Sequence, residues 1–273
     1  MMRAFFEQSQ ALDDQDTPSA VSWLTAIVYQ TELGTVDDIM RQQLLLSRVD
    51  LSPLSAFDRC RLLRFRCHSL RIAGDTAAAV DAGKEAYAFS MAHRLFHDAR
   101  LTAELLSFLF LDQNDIENAS SWISLCAETT PDSEYSTTSP SLAHAQDRLL
   151  LQRGEFKEVA SRLTTRLRSV RLDGTIRNRC GELATLALCF AETGNSVVAE
   201  ELLDELLPDL PSIYGSFSGD YPVEIASRAL ARINRLEESR NQARRHIRDK
   251  MERCNRPLPV FYAHLGSARD ELS

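Results

Sequence analysis

Residues 70–79 read LRIAGDTAAA, and the passage returns in altered form at 110–119 (FLDQNDIENA), 150–159 (LLQRGEFKEV), 190–199 (FAETGNSVVA) and 230–239 (LARINRLEES). Each copy carries glycine or asparagine at the same place: Gly74, Asn114, Gly154, Gly194 and Asn234, with Gly34 continuing the series upstream at a constant spacing of 40 residues. These are the two residue types that most readily take the left-handed backbone conformation ending a helix. A marker that recurs without drift predicts one supersecondary unit repeated six times, the pattern of a solenoid.

Alignment on the marker brings out further columns. Four places before it stand Gln30, Leu70, Phe110, Leu150, Phe190 and Leu230; eleven before it, Trp23, Leu63, Ala103, Ala143, Leu183 and Val223. Five places after it come Ile39, Ala79, Ala119, Val159, Ala199 and Ser239; nine after it, Gln43, Gly83, Ile123, Leu163, Leu203 and Ala243. Apolar positions three, four and seven apart on either side of a short turn describe two amphipathic helices folded as a hairpin. The mostly small column, five after the marker, fits the closest approach of the two helices. In repeats two to five the turn reads Gly-Asp, Asn-Asp, Gly-Glu or Gly-Asn, so a left-handed residue closes one helix and an acid or amide opens the next.

No segment alternates as a strand does, and the expected fold is all-α. One domain over 1–273 is expected, a right-handed superhelical α-solenoid of helix hairpins near 14–53, 54–93, 94–133, 134–173, 174–213 and 214–253, closed by a capping helix over 254–273. Two stretches rich in turn residues, 128–141 and 208–222, fall inside the array as loops. Helix starts are expected at Ser139-Pro140 and at Asp220 ahead of Pro222, each with an N-cap and a proline in the first turn.

Composition narrows the class. Hydrophobic content of 44% with 26% charged residues belongs to a folded soluble chain. The most apolar stretch, 105–111, is too short to cross a bilayer, and the first residues lack the charged and apolar regions of a signal peptide, so a cytoplasmic protein is expected. Six cysteines (Cys60, Cys67, Cys126, Cys180, Cys189 and Cys254) show no CxxC spacing and read as buried thiols rather than disulfides or metal ligands. A net charge of −8 speaks against nucleic acid as a partner. The charge is uneven: residues 1–58 hold nine acids against three arginines, and 228–256 hold ten bases against four acids. Solvated helix faces account for this, as does a basic patch for an acidic partner.

The columns resemble the tetratricopeptide repeat. The large residue early in the first helix, the large one before the turn, the Gly-Asp turn and the small residue five later all have counterparts, and the resemblance covers roughly Ala20 to Arg253. The standard repeat is about 34 residues, and 40 is nearer the HEAT range, but the turn and the small column favour the tetratricopeptide-like reading. Seven before the marker, where the family wants a small residue, Ile27 and Asp147 depart from it. Forty-residue versions are similar to those of bacterial regulators, such as the maltose-regulator type of transcription activator and repeat-linked diguanylate cyclases.

That resemblance implies a concave groove lined by the first helices, through positions thirteen, ten, six and three before the marker. Repeat two then contributes Arg61, Arg64, His68 and Arg71; repeat three, Phe108 between Leu101 and Leu111; repeat four, His144 and Arg148; repeat six, Tyr221, Glu224 and Arg228. Repeat five contributes Ala184 and Leu188. The four residues of repeat two form one stripe along a helix, where like charges repel unless solvent or an anion compensates them. Arginine forks suit carboxylates and phosphates, so the groove could take an acidic or free-carboxylate segment; salt bridges to neighbouring helices would equally quiet the stripe. A second basic run, 240–253, reads as solvated surface, since acids interrupt it and it lacks aromatic residues to stack on bases.

Catalytic signatures are absent: no GxSxG, HExxH or phosphate-binding glycine loop occurs. His93 and His97 are spaced to share a helix face but lack an evident third ligand, so neither a metal nor a cofactor is expected. The expected function is a non-enzymatic scaffold or sensory module that binds a protein, a peptide or a small effector, in bacterial signalling or transcription control. The alternatives are the regulatory repeats of a larger enzyme such as a diguanylate cyclase, and a secretion-system chaperone. Self-association is a further expectation, through Val260, Phe261, Tyr262 and Leu265 as a homodimer contact.

Overall fold

The computed structural model describes residues 54–129, 140–173, 176–214 and 219–254. These form ten α-helices and one 3-10 turn, with no strand among the described residues. The helices are α1 (Ala56–Ala73), α2 (Thr76–Ala92), α3 (Phe96–Asp112), α4 (Ile116–Glu128), α5 (Pro140–Gln152), α6 (Phe156–Asp173), α7 (Ile176–Glu192), α8 (Ser196–Leu206), α9 (Asp220–Arg232) and α10 (Leu236–Cys254). Contacts divide the chain into two units, Met1–Gln146 and Asp147–Ser273. In the first, α1 packs on α2, α2 on α3 and α3 on α4, and α1 also meets α3. In the second, α6 packs on α7, α7 on α8 and α9, and α9 on α10.

All five markers in the described residues are left-handed: Gly74 at φ 82°, Asn114 at 57°, Gly154 at 76°, Gly194 at 85° and Asn234 at 65°. Gly34, the first repeat up to residue 53, and residues 255–273 of the expected cap, with its apolar contact residues, lie outside the described residues. At each of the five, the marker N–H donates to the carbonyl three residues back and the next N–H to the carbonyl five back from itself. Gly74 thus reaches Arg71 and Asp75 reaches Leu70; Asn234 reaches Ala231 and Arg235 reaches Leu230. These bonds satisfy carbonyls that a helix end would otherwise leave bare. The residue after the marker often begins the next helix: the side chains of Asp75, Asp115 and Asn195 accept from the N–H groups of Ala78, Asn118 and Val198. One dipeptide ends one helix and caps the next.

The same bond pattern appears where no marker was read. Arg94 stands at φ 58°, its N–H donating to Met91 and that of Leu95 to Ser90. A left-handed conformation costs a non-glycine residue about 1–2 kcal/mol, which the two bonds help offset. This break separates His93, the C-cap of α2, from His97 in the first turn of α3, so the pair does not share a helix face. No cluster suited to a metal occurs among the described residues.

Packing follows the columns. Ala79, Ala119, Val159 and Ala199 are fully buried and Ser239 nearly so. Leu63, Ala103, Ala143, Leu183 and Val223, eleven before the marker, are buried as well. At Gly83 a Cβ would come within 2.6 Å of Leu106 Cδ2 and 3.0 Å of Cys67 Sγ, so glycine there allows α2 to lie close to both α1 and α3. In the second unit Leu183, Leu186, Leu203, Leu206 and Leu230 carry the core. Helix α5 starts at Pro140 as expected, whereas α9 is capped by Gly219, which makes Asp220 its first helical residue rather than its cap. Between α8 and α9 the turn-rich stretch holds a 3-10 turn at Leu210–Ile213. No helix of the described residues is long and apolar enough to cross a membrane.

Candidate functional site

In the first unit, the stripe on α1 is drawn into the fold by carboxylates from α3. Arg64 is 8% exposed, and its Nη1 donates at 2.5 Å to Oδ1 of Asp98, itself 4% exposed. Arg71 donates through Nε at 2.8 Å to Asp112 Oδ2, with Nη2 2.7 Å from the same oxygen. The repulsion that identical charges at this spacing would suffer is thereby compensated from the neighbouring helix. The Arg71 guanidinium also lies over the Phe108 ring, 5.6 Å from its centroid, and the Phe108 and His144 rings lie 5.8 Å apart. Arg71, Phe108 and His144, taken from three repeats, form one partly exposed row. Arg61 stands apart, over the half-exposed ring of Phe57 at 5.1 Å, and His68 is partly buried.

In the second unit, Arg148 lies over the Tyr221 ring at 4.5 Å. Thr185 Oγ1 donates to the Gly181 carbonyl, so the Tyr221 hydroxyl is the donor in the 3.0 Å bond between them. Burial pushes the Tyr221 phenol up to about 12, against the opposing pull of the Arg148 charge. On α7, Gly181, Ala184 and Leu188 are buried. Small residues at 181 and 184 leave room for α9, whose Pro222 ring would stand 3.9 Å from a Cβ at Gly181. The groove positions of repeat five are thus covered by the protein's own side chains. Arg228 lies 4.0 Å from Glu224 on its own helix and belongs to neither row.

Two polar centres escaped the sequence reading. Asp147, which breaks the small column, is 1% exposed; Arg162 Nε lies 2.8 Å from one of its oxygens and Arg166 donates to the other at 2.5 Å. Arg166 reaches on to Glu182 Oε1 at 3.1 Å. Burial raises the Glu182 carboxyl above its ordinary value while Arg166 opposes the shift. His246, fully buried, has Nε2 2.8 Å from Asp220 Oδ1. The signal for both was a polar, ionisable residue type in an otherwise buried column: Arg166 and His246 each stand twelve after a marker, where Ala86, Cys126 and Leu206 stand elsewhere.

The cysteines of the described residues whose side chains are placed, Cys60, Cys67, Cys126, Cys180 and Cys189, are buried free thiols. Burial pushes Cys67, Cys126 and Cys189 up to about 12 and Cys180 up to about 11, so these groups stay protonated at neutral pH. A protonated, enclosed thiol is a poor nucleophile and a poor metal ligand. No protein-family model matches the chain, and a search of curated proteins finds no match to it.

Proposed function

We propose that the chain is a non-enzymatic interaction scaffold, a tetratricopeptide-like solenoid of six hairpins with a cap, that binds a protein or peptide segment along its first helices. The observation that carries this reading is the row of Arg71, Phe108 and His144, in which successive first helices each contribute one partly exposed side chain to a shared surface. Since Asp98 and Asp112 already occupy Arg64 and Arg71, the surface suits an aromatic or aliphatic side chain better than a bare anion. Arg61, on the same helix as Arg71, supplies cationic character that an acidic or carboxylate-bearing partner would use. A bacterial signalling or transcription-control setting rests on the resemblance alone. Buried free thiols support a reducing, cytoplasmic environment.

The test is affinity capture from the native lysate with the intact chain and with a Phe108→Ala, Arg61→Ala variant of unchanged helical circular dichroism. A defined protein held by the intact chain and lost by the variant supports the scaffold. Identical recovery by both would remove this face from consideration.

A further inference from the structure

Helix α10 presents a second row of arginines under quite different conditions. Its inward side is fixed: Ser239 and His246 are buried, Ser239 Oγ donates at 2.8 Å to the Ser227 carbonyl of α9, and His246 pairs with Asp220. Arg240, Arg244, Arg245 and Arg248 therefore emerge together on the solvent side, and all four are exposed. Arg240 has a neighbour in Glu237, one turn back at 2.9 Å, and Arg248 lies 3.6 Å from Asp249. Both remain open, with side-chain exposures of 52% and 67%. Arg244 and Arg245 form no ion pair among the described residues.

The chain holds its own complement to this face. Between Arg3 and Arg41 there are seven acids (Glu7, Asp13, Asp14, Asp16, Glu32, Asp37 and Asp38) and no lysine, arginine or histidine. Four of them fall within ten residues, 7–16 (EQSQALDDQD). Two copies with a net charge of −8 each repel at long range, so electrostatic attraction between them has to come from stretches of opposite local sign. Arginine is suited to that role because its fork donates two parallel hydrogen bonds to one carboxylate. We propose that the arginine face of α10 is a homotypic docking surface that receives the acidic 7–16 segment of a second copy of this chain. The residues involved are disjoint from the groove row, so the proposal does not depend on the scaffold face described above.

Sedimentation equilibrium of the full chain over a wide concentration range tests it. At low salt the weight-average mass should rise with concentration, and about 1 M salt, where the screening length falls to about 3 Å, should return it to that of one chain. Reversing the face (Arg240→Glu, Arg244→Glu, Arg245→Glu, Arg248→Glu) should abolish the rise. Reversing the segment (Glu7→Lys, Asp13→Lys, Asp14→Lys, Asp16→Lys) should do the same. Combining both sets in one chain leaves the net charge at −8, restores opposite signs and should bring association back. Every substituted arginine is exposed, and unchanged helical circular dichroism confirms that the fold survives. A single-chain mass for the unaltered protein at every concentration would overturn the proposal, and would leave a fold-back of the segment on its own chain to be sought. Association indifferent to either reversal, or absent in the doubly reversed chain, would overturn it equally.

Discussion

Helices α1 and α10 carry the same side chain at related spacing and use it in opposite ways. On α1, Arg64 and Arg71 meet Asp98 and Asp112 from α3, and Arg64 is buried with its partner. On α10, Arg240, Arg244, Arg245 and Arg248 stand in solvent, and among the described residues two of them have acids of the same helix nearby. The difference lies in what the adjoining helix offers. A charged stripe becomes structural when the facing column supplies carboxylates close enough to hydrogen-bond, and stays open to solvent when it does not.

The sharpest way to break this comparison is Asp98→Ala. It strands a guanidinium that is 8% exposed, and breaking a buried pair from one side costs about 3–5 kcal/mol. Chemical denaturation should show that loss. The double variant Arg64→Leu, Asp98→Leu should recover most of it, since apolar replacement of a whole buried pair is often close to neutral. A loss under 1 kcal/mol, about the value of an exposed pair, would mean that the α1 stripe is solvated after all and equivalent to that on α10.

Much of the fold was legible because the marker is a backbone requirement. Only residues tolerant of φ near +60° to +85° sit comfortably at such a turn, so glycine and asparagine declare it in the sequence. Arg94 meets the same requirement with a residue that declares nothing, so the boundary expected between 54–93 and 94–133 carried no marker of its own. The small column was legible for a similar reason, since helix–helix distance limits side-chain volume whatever the rest of the repeat does. Ion pairs follow no such rule. Asp147 read as a flaw in its column because its partners, Arg162 and Arg166, come from a different helix, and Arg166 itself stands in a column held by Ala86, Cys126 and Leu206 in other repeats. In the site, Phe108 and His144 were placed by offset and do meet, whereas the burial of Arg64 depends on Asp98, which no groove offset points to.

The comparison assumes that the columns are in register, and Ala119→Phe tests that directly. Ala119 is fully buried on α4, and overpacking a filled site costs about 1–3 kcal/mol. A variant as stable as the parent would show that the small column does not face its partner helix.

Tyr221→Phe keeps the ring beneath Arg148 and removes only the hydroxyl, and should cost about 1 kcal/mol for the lost bond to Thr185. Its pH dependence has a definite sign. The phenol is raised to about 12 in the folded chain from about 10 unfolded, so the unfolded chain ionises first. The contribution is whole below pH 10 and is lost as pH rises towards 12. Near-ultraviolet phenolate absorbance should show the late-titrating amplitude of the parent reduced by one tyrosine in Tyr221→Phe, since burial raises Tyr87 and Tyr214 as well.

The smallest effect belongs to α10 itself. Arg244→Ala and Arg245→Ala remove two exposed charges that form no ion pair among the described residues, and alanine is the better helix former. Unfolding free energy should therefore move by no more than about 0.5 kcal/mol in either direction. That near-silence is the counterpart of the large loss at Asp98, and it separates stability from assembly at this helix. If the pair leaves unfolding unchanged while weakening concentration-dependent association, the arginines serve a contact outside their own fold. A loss of 2 kcal/mol or more would show instead that they are anchored within it, and the contrast between the two stripes would dissolve.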